Sequence, residues 1–238
     1  MSTRSRRAVV LLSGGLDSAT CLALARRTGF ECHALTFDYG QRHKIEIECA
    51  ARIAASAGDA SHTVYTLDVA PFAGSSLTTG GDVPKDQIEP GSDGIPSTYV
   101  PARNLVFLSI ATAYAETLGC SDLFIGVNAV DYSGYPDCRP EFVRAFSDAA
   151  TLATKRGTEQ NHPLTIHVPL LERSKADIVR LAAESGVDLA LTTSCYDPSL
   201  DETGPIACGR CDACILRQRG FRDAGVQDPT RYAESMIR

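Results

Sequence analysis

The chain has 238 residues, 44% hydrophobic and 22% charged, with a formal net charge of −6. That length supports one large core with a small appendage, and the negative balance excludes a general nucleic-acid-coating surface. No apolar run approaches the roughly 18 residues of a membrane span, and the short first apolar stretch has strand chemistry and not that of a signal peptide, so a cytoplasmic location is expected.

Arg4, Arg6 and Arg7 are expected to form a frayed tail. The apolar run Ala8–Leu12 predicts a buried strand, followed by the glycine turn Ser13-Gly14-Gly15-Leu16-Asp17-Ser18 and a helix over Asp17–Thr28. Further strands are expected at Cys32–Phe37, Thr63–Leu67, Leu123–Val127 and Leu164–Val168. Helices are expected at Lys44–Ala57, Asn104–Leu118, Glu141–Lys155 and Lys175–Ser185. This alternation predicts an α/β fold, a Rossmann-like parallel sheet with helices on both faces, whose ligand lies beyond the carboxyl ends of the strands. Residues 70–103, rich in Gly, Ser, Pro and Asp, break the rhythm and read as an ordered active-site crossing. After about residue 190 the composition turns to cysteine, glycine and turn residues. The expected division is therefore a nucleotide-binding α/β domain over 1–190 and a small C-terminal module over 191–238.

The glycine turn carries the first chemical signal. Backbone N–H groups and a helix N-terminus make an anion site, and Ser13 and Ser18 add hydroxyl donors. Neither G-x-x-x-x-G-K-[ST] nor G-x-G-x-x-G occurs. S-G-G-x-D-S instead resembles the pyrophosphate loop of enzymes that split ATP into AMP and pyrophosphate; the plain alternative is a capped helix start after a glycine turn.

Cys195, Cys208, Cys211 and Cys214 have the spacing C-x12-C-x2-C-x2-C. Four thiolates suit a closed tetrahedral zinc site, which has no open position for water and so points to a structural role. Iron–sulfur ligation and a redox dithiol are the competing readings. The other cysteines, Cys21, Cys32, Cys49, Cys120 and Cys138, read as small buried hydrophobes.

Several stretches together resemble one family. They are Leu12–Ser18, Thr36-Phe37-Asp38-Tyr39-Gly40-Gln41-Arg42-His43, Tyr99-Val100-Pro101-Ala102-Arg103-Asn104, Gly126–Arg139 with its Asp-Tyr-Ser-Gly-Tyr-Pro-Asp-Cys-Arg block, and the four cysteines. The likeness, nearly end to end, is to the 7-cyano-7-deazaguanine synthase family of queuosine biosynthesis, within the pyrophosphate-loop (adenine-nucleotide α-hydrolase-like) superfamily. One departure is Ala102, where that family more often carries glycine, a difference that matters only if the backbone needs a positive φ.

The resemblance implies an ATP-dependent ligase that converts 7-carboxy-7-deazaguanine and ammonia to the nitrile, through an adenylated carboxylate and then an adenylated amide. It implies ATP contacts from Leu12, Ser13, Gly14, Gly15, Leu16, Asp17, Ser18, Ala19 and Thr20, with Phe37 in the turn where adenosine would lie. Catalytic roles are expected for Asp17, as a Mg2+ or helix-cap ligand, and for Lys175 and Arg103 as cations at the α-phosphate. Lys175 also reads as an ordinary solvated helix-start lysine. Tyr132 and Tyr135 would stack on the deazaguanine ring, and Asp131, Asp137 or Glu141 would accept its N–H donors. A plain surface loop is the alternative there. The expected partners are small molecules and a second copy of the chain in a homodimer, with no nucleic acid and no membrane. Adenylation needs no histidine base, because the attacking carboxylate is already ionised. The rivals are an amide synthetase that stops one step early, a tRNA sulfurtransferase, which would need a reactive cysteine and a basic face, and a non-enzymatic zinc scaffold.

Overall fold

A computed structural model describes residues 6–58, 61–68, 74–78, 81–86, 95–128 and 135–233. Five parallel strands form the main sheet in the order β3-β2-β1-β4-β5: β1 Arg6–Leu11, β2 Phe30–Asp38, β3 Ser61–Thr66, β4 Asp122–Phe124 and β5 Thr165–His167. The central strand β1 pairs with β2 on one side (Leu11 opposite Leu35) and β4 on the other (Val9 opposite Leu123). Being covered on both faces, it reads as a continuous apolar run and not as an alternation.

Helices α1 (Leu16–Arg27) and α2 (Ile45–Ala57) cover one face. There Leu22, Ala25, Ile53 and Ala54 meet Ala8, Val10 and Ala34. Helices α3 (Arg103–Leu118) and α4 (Pro140–Ala153) cover the other, with Leu108, Ala111 and Ala150 against Val9, Leu35 and Leu123. A single-turn helix, α5 (Lys155–Thr158), follows α4. The α/β class expected from the sequence is the one observed.

The strand order reverses between β1 and β4. In doubly wound sheets the ligand crevice opens at the carboxyl ends of the strands at such a switch point. Both the Ser13–Ser18 turn and residues 125–128 leave the sheet here.

Three features differ from the sequence reading. Arg6 and Arg7 are not a frayed tail: both pair in β1, and the Arg6 guanidinium lies 4.2 Å above the Phe30 ring. Arg4 lies outside the described residues. The helix expected over Glu141–Lys155 ends at Ala153, with a separate turn from Lys155. The Gly- and Cys-rich end contains regular structure that no periodicity announced: a hairpin of β6 (Ser199–Asp201) and β7 (Gly204–Ile206), then helix α7 (Asp212–Ala224). Helix α7 packs on α6 (Lys175–Glu184), burying Phe221 with Leu16, Ile178, Val179 and Ala182.

The described parts of the 70–103 crossing are tied down. Ser76 N donates to Ser97 O at 2.9 Å and Arg42 N to Leu77 O at 3.1 Å. Leu77, Val83 and Val100 are buried in the core on the α3 side. The crossing ends at Ala102 with φ +53°, in the left-handed region, so the departure from glycine falls where the backbone does need a positive φ.

Candidate active site

Beyond the ends of β1 and β4 lies a cavity of about 260 Å3, walled by the Ser13–Ser18 turn, the ends of β2 and β4, the residue 98–104 corner and the 193–196 segment. The turn holds its own shape. Ser18 Oγ accepts from Ser13 N at 3.1 Å and donates to Gly15 O at 3.0 Å; Ser13 Oγ accepts from Gly15 N at 3.3 Å. Gly14 has φ +88°, and a Cβ there would fall 2.2 Å from Glu46 O, so only glycine lets α2 approach the turn. Gly15 caps α1 with no side-chain hydrogen bond. The helix start thus carries its partial positive charge with no side-chain cap of its own, an arrangement suited to an anion.

Asp17 is therefore not the helix cap. Its carboxylate receives Lys175 Nζ at 3.0 and 2.8 Å and Asn128 Nδ2 at 2.8 Å. Lys175 stands at the first position of α6, behind a capping box in which Ser174 and Asp177 exchange hydrogen bonds. Only 19% of its side chain is exposed, so it is not a solvated helix-start lysine. Gly126 lets the β4 end pass close by, since a Cβ there would lie 3.0 Å from Asp17 C and Ser18 N.

Arg103 starts α3 and lines the same cavity. Burial opposes its charge, but Tyr39, Cys138 and Asp137 outweigh it and hold the guanidinium above its ordinary pKa. Tyr39 is pushed up by burial, with Arg103 pulling the other way. Asp137 is turned toward the protein: its Oδ2 accepts from Asn104 N at 2.8 Å and so caps the first turn of α3. Tyr135 Oη is 3.1 Å from Thr98 Oγ1, and its ring lies 5.9 Å from that of Tyr99, in the cavity wall.

Other expected contacts lie less centrally. The Phe37 ring lines the cavity but is stacked at 3.9 Å on Phe107. Ala19 and Thr20 are buried one turn into α1, where Thr20 Oγ1 donates to Leu16 O. Glu141 faces solvent, 75% exposed and paired with Arg144. Asp131 and Tyr132 lie outside the described residues.

The sequence matches the family described as queuosine biosynthesis protein QueC over residues 7–225. Proteins named 7-cyano-7-deazaguanine synthase from Solidesulfovibrio magneticus and Myxococcus xanthus are each 56% identical to it, over 97% of this chain and 97% and 99% of their own lengths. A third, from Xanthomonas campestris pv. campestris, is 57% identical over 97% of this chain and 99% of its own. The chain belongs to the QueC family. It is an enzyme, a synthase of queuosine biosynthesis.

The QueC cysteine cluster sits at the start of α7. The four Sγ atoms of Cys195, Cys208, Cys211 and Cys214 lie within 4.8 Å of one another, and Cys208 and Cys214 are 3.9 Å apart. A tetrahedron with metal–sulfur bonds of about 2.3 Å has edges of about 3.8 Å, so the set fits one metal ion. Backbone N–H groups of Asp197 and Cys208 donate to Cys195 Sγ, and that of Cys211 to Cys208 Sγ. Such donors favour thiolates. The remaining cysteines are buried, and burial pushes the thiols of Cys21, Cys32 (to about 11), Cys49 and Cys120 upward, away from the reactive thiolate that sulfur transfer would need.

Asn128, beside Asp17, and His43, in the cavity wall, carry no individual role in the sequence analysis of this QueC-family chain. Asn128 was read only as part of a motif. His43, 4% exposed, lines the cavity with Nε2 2.7 Å from Glu46 Oε1. Both lie in motifs quoted above, but the contact of Asn128 with Asp17 arises only where the ends of β1 and β4 come together.

Proposed function

We propose that this QueC-family enzyme is an ATP-dependent ligase that converts 7-carboxy-7-deazaguanine and ammonia to 7-cyano-7-deazaguanine. Each turnover consumes two ATP and releases two AMP and two pyrophosphate. The observation that carries the reading is the Ser13–Ser18 turn, at an uncapped helix start, sharing one cavity with Lys175 and Arg103 and offering no P-loop lysine. Such a turn suits the β,γ-pyrophosphate and leaves the α-phosphorus toward the cations.

In the first half-reaction the substrate carboxylate attacks the α-phosphorus, and pyrophosphate departs into the turn. Lys175 and Arg103 stabilise the negative charge that accumulates on the α-phosphoryl oxygens. Asp17 and Asn128 keep the Lys175 ammonium in place. Ammonia displaces AMP from the adenylate to give the amide. In the second half-reaction the amide oxygen is adenylated in the same way, and loss of AMP and protons gives the nitrile. Tyr135, with Asp131, Tyr132 and Asp137 as the further candidates, would hold the ring. The magnesium accompanying ATP would neutralise phosphate charge. Both Asp17 oxygens already accept hydrogen bonds, so it would be held chiefly by phosphate oxygens and water, as this ion commonly is. The four cysteines would hold a structural zinc, giving a C-terminal zinc module over 191–238 on the 1–190 nucleotide-binding domain. The enzyme would work as a homodimer in the cytoplasm, where ATP is supplied.

The test is incubation with ATP, ammonium and 7-carboxy-7-deazaguanine, with product mass as readout. Nitrile with AMP supports the proposal. Amide that persists under excess ATP leaves only the amide synthetase, and ADP with phosphate contradicts the loop assignment.

A further inference from the structure

Helix α7 presents Cys214, Arg217 and Gly220 at intervals of three residues, the spacing that puts side chains on one helix face. Cys214 belongs to the metal-fitting cluster. Arg217 is 2% exposed, with Nε 3.1 Å from Asp228 Oδ1 and Nη1 donating to Thr192 Oγ1 at 2.9 Å. The next residue, Thr193, donates its N–H to Gly14 O at 3.0 Å, within the anion turn. Gly220 lies against Lys175. A Cβ at Gly220 would fall 2.5 Å from Lys175 Cγ, 3.1 Å from its Cβ and 3.3 Å from its carbonyl carbon. Carbon atoms in good contact stand about 3.5–4.0 Å apart. The clash is with the inner stem of the lysine, beside its backbone, so it cannot be relieved by swinging the ammonium end alone.

Glycine is otherwise a poor choice in a helix interior, being less favourable than alanine. Here the missing Cβ is what lets α7 close on the stem whose Nζ reaches Asp17.

We propose that Gly220 is a positioning residue for Lys175, so that the helix carrying Cys214 forms a wall of the active site as well as a fold-stabilising element. The inference rests on the reading of Lys175 as the α-phosphate cation. An added methyl at residue 220 displaces the lysine stem, and the ammonium leaves the place fixed by Asp17. Misplacement of a charged group by about 1 Å costs up to about a hundredfold in rate.

The experiment is a double-mutant cycle of Gly220→Ala and Lys175→Ala, read by kcat, KM for ATP, metal content and Tm. Lys175→Ala removes Cγ, the atom nearest the added methyl. Gly220→Ala alone is expected to lower kcat tenfold or more, to lower Tm and to leave metal content unchanged. Added to Lys175→Ala, it should lower kcat no further, and it should lower Tm by less than it does alone, because the 2.5 Å contact with Cγ is gone while those with Cβ and the carbonyl carbon remain. If Gly220→Ala is insoluble alone, a soluble double variant supports the proposal and an insoluble one overturns it. Near-wild-type kcat for Gly220→Ala, with Lys175→Ala inactive, overturns the proposal and leaves the lysine reading standing. The same Tm loss in both backgrounds also overturns it. Near-wild-type kcat for Lys175→Ala overturns the lysine reading, and the proposal with it.

Discussion

Asp17 and Lys175 stand 158 residues apart in the sequence, and their carboxylate and ammonium meet at 2.8 Å. One follows the first strand; the other opens the helix after the fifth. Asn128, leaving β4, completes the contact. The pair lines the cavity at the sheet's switch point.

Asp17→Asn should reduce turnover at saturating ATP by about a hundredfold or more, the scale of losing one oriented electrostatic group. Asparagine offers one oxygen where the carboxylate offered two, so Lys175 and Asn128 compete for it. Circular dichroism should be unchanged, while Tm should fall, since the pair is only about one-fifth exposed and asparagine leaves the Lys175 ammonium without its counter-ion. Turnover within about threefold of wild type would remove Asp17 from the mechanism.

Cys211→Ser should yield insoluble or metal-poor protein, because structural zinc binding is coupled to folding. Elemental analysis of the wild type should give about one zinc per chain. Iron and sulfide, with a brown chromophore, would replace zinc by a cluster.

Ala102 sits at φ +53°. A β-branched side chain there is far worse than alanine. Ala102→Val should lower Tm by at least about 2–4 °C, the shift for roughly 1 kcal/mol at this chain length, while Ala102→Gly should leave Tm unchanged or higher. Equal melting of all three proteins would mean that the corner does not hold this conformation.

Asp228 tests the C-terminal network. Burial pushes its carboxyl upward, but the Tyr232 hydroxyl at 2.6 Å and the Arg217 guanidinium prevail, and the pKa lies below its ordinary value. A depressed folded-state pKa contributes stability that is present above the unfolded value of about 4 and is lost as pH falls through the folded one. Tm of the wild type should therefore fall more steeply below about pH 4 than that of Asp228→Asn. Parallel curves would show that the pair carries no pH-linked stability.

The parallel sheet was legible because its central strand is an apolar run and, outside the 70–103 crossing, strand and helix patterns alternate closely. The four cysteines were legible because ligand spacing is local. Helix α7 was not: its inward face is a cysteine, an arginine, a glycine and a phenylalanine, so no apolar stripe marks it. Asp137 lines the cavity, as its motif's place at the ligand end predicts; that its carboxylate also caps α3 was not legible, because Asn104 lies 33 residues away. The frayed reading of Arg6 and Arg7 failed because charge at a strand start is satisfied by Asp122, Glu31 and the Phe30 face, none of them nearby in sequence.

The central claim is attack at the α-phosphorus by the substrate's own oxygen. It is tested most directly with 7-carboxy-7-deazaguanine carrying heavy oxygen in its carboxylate, followed by mass analysis of the nucleotide released. The account predicts labelled AMP, both carboxylate oxygens leaving on AMP as the nitrile forms, with a 7-amido intermediate visible at low ATP. ADP and phosphate as products, or AMP free of label, would contradict it.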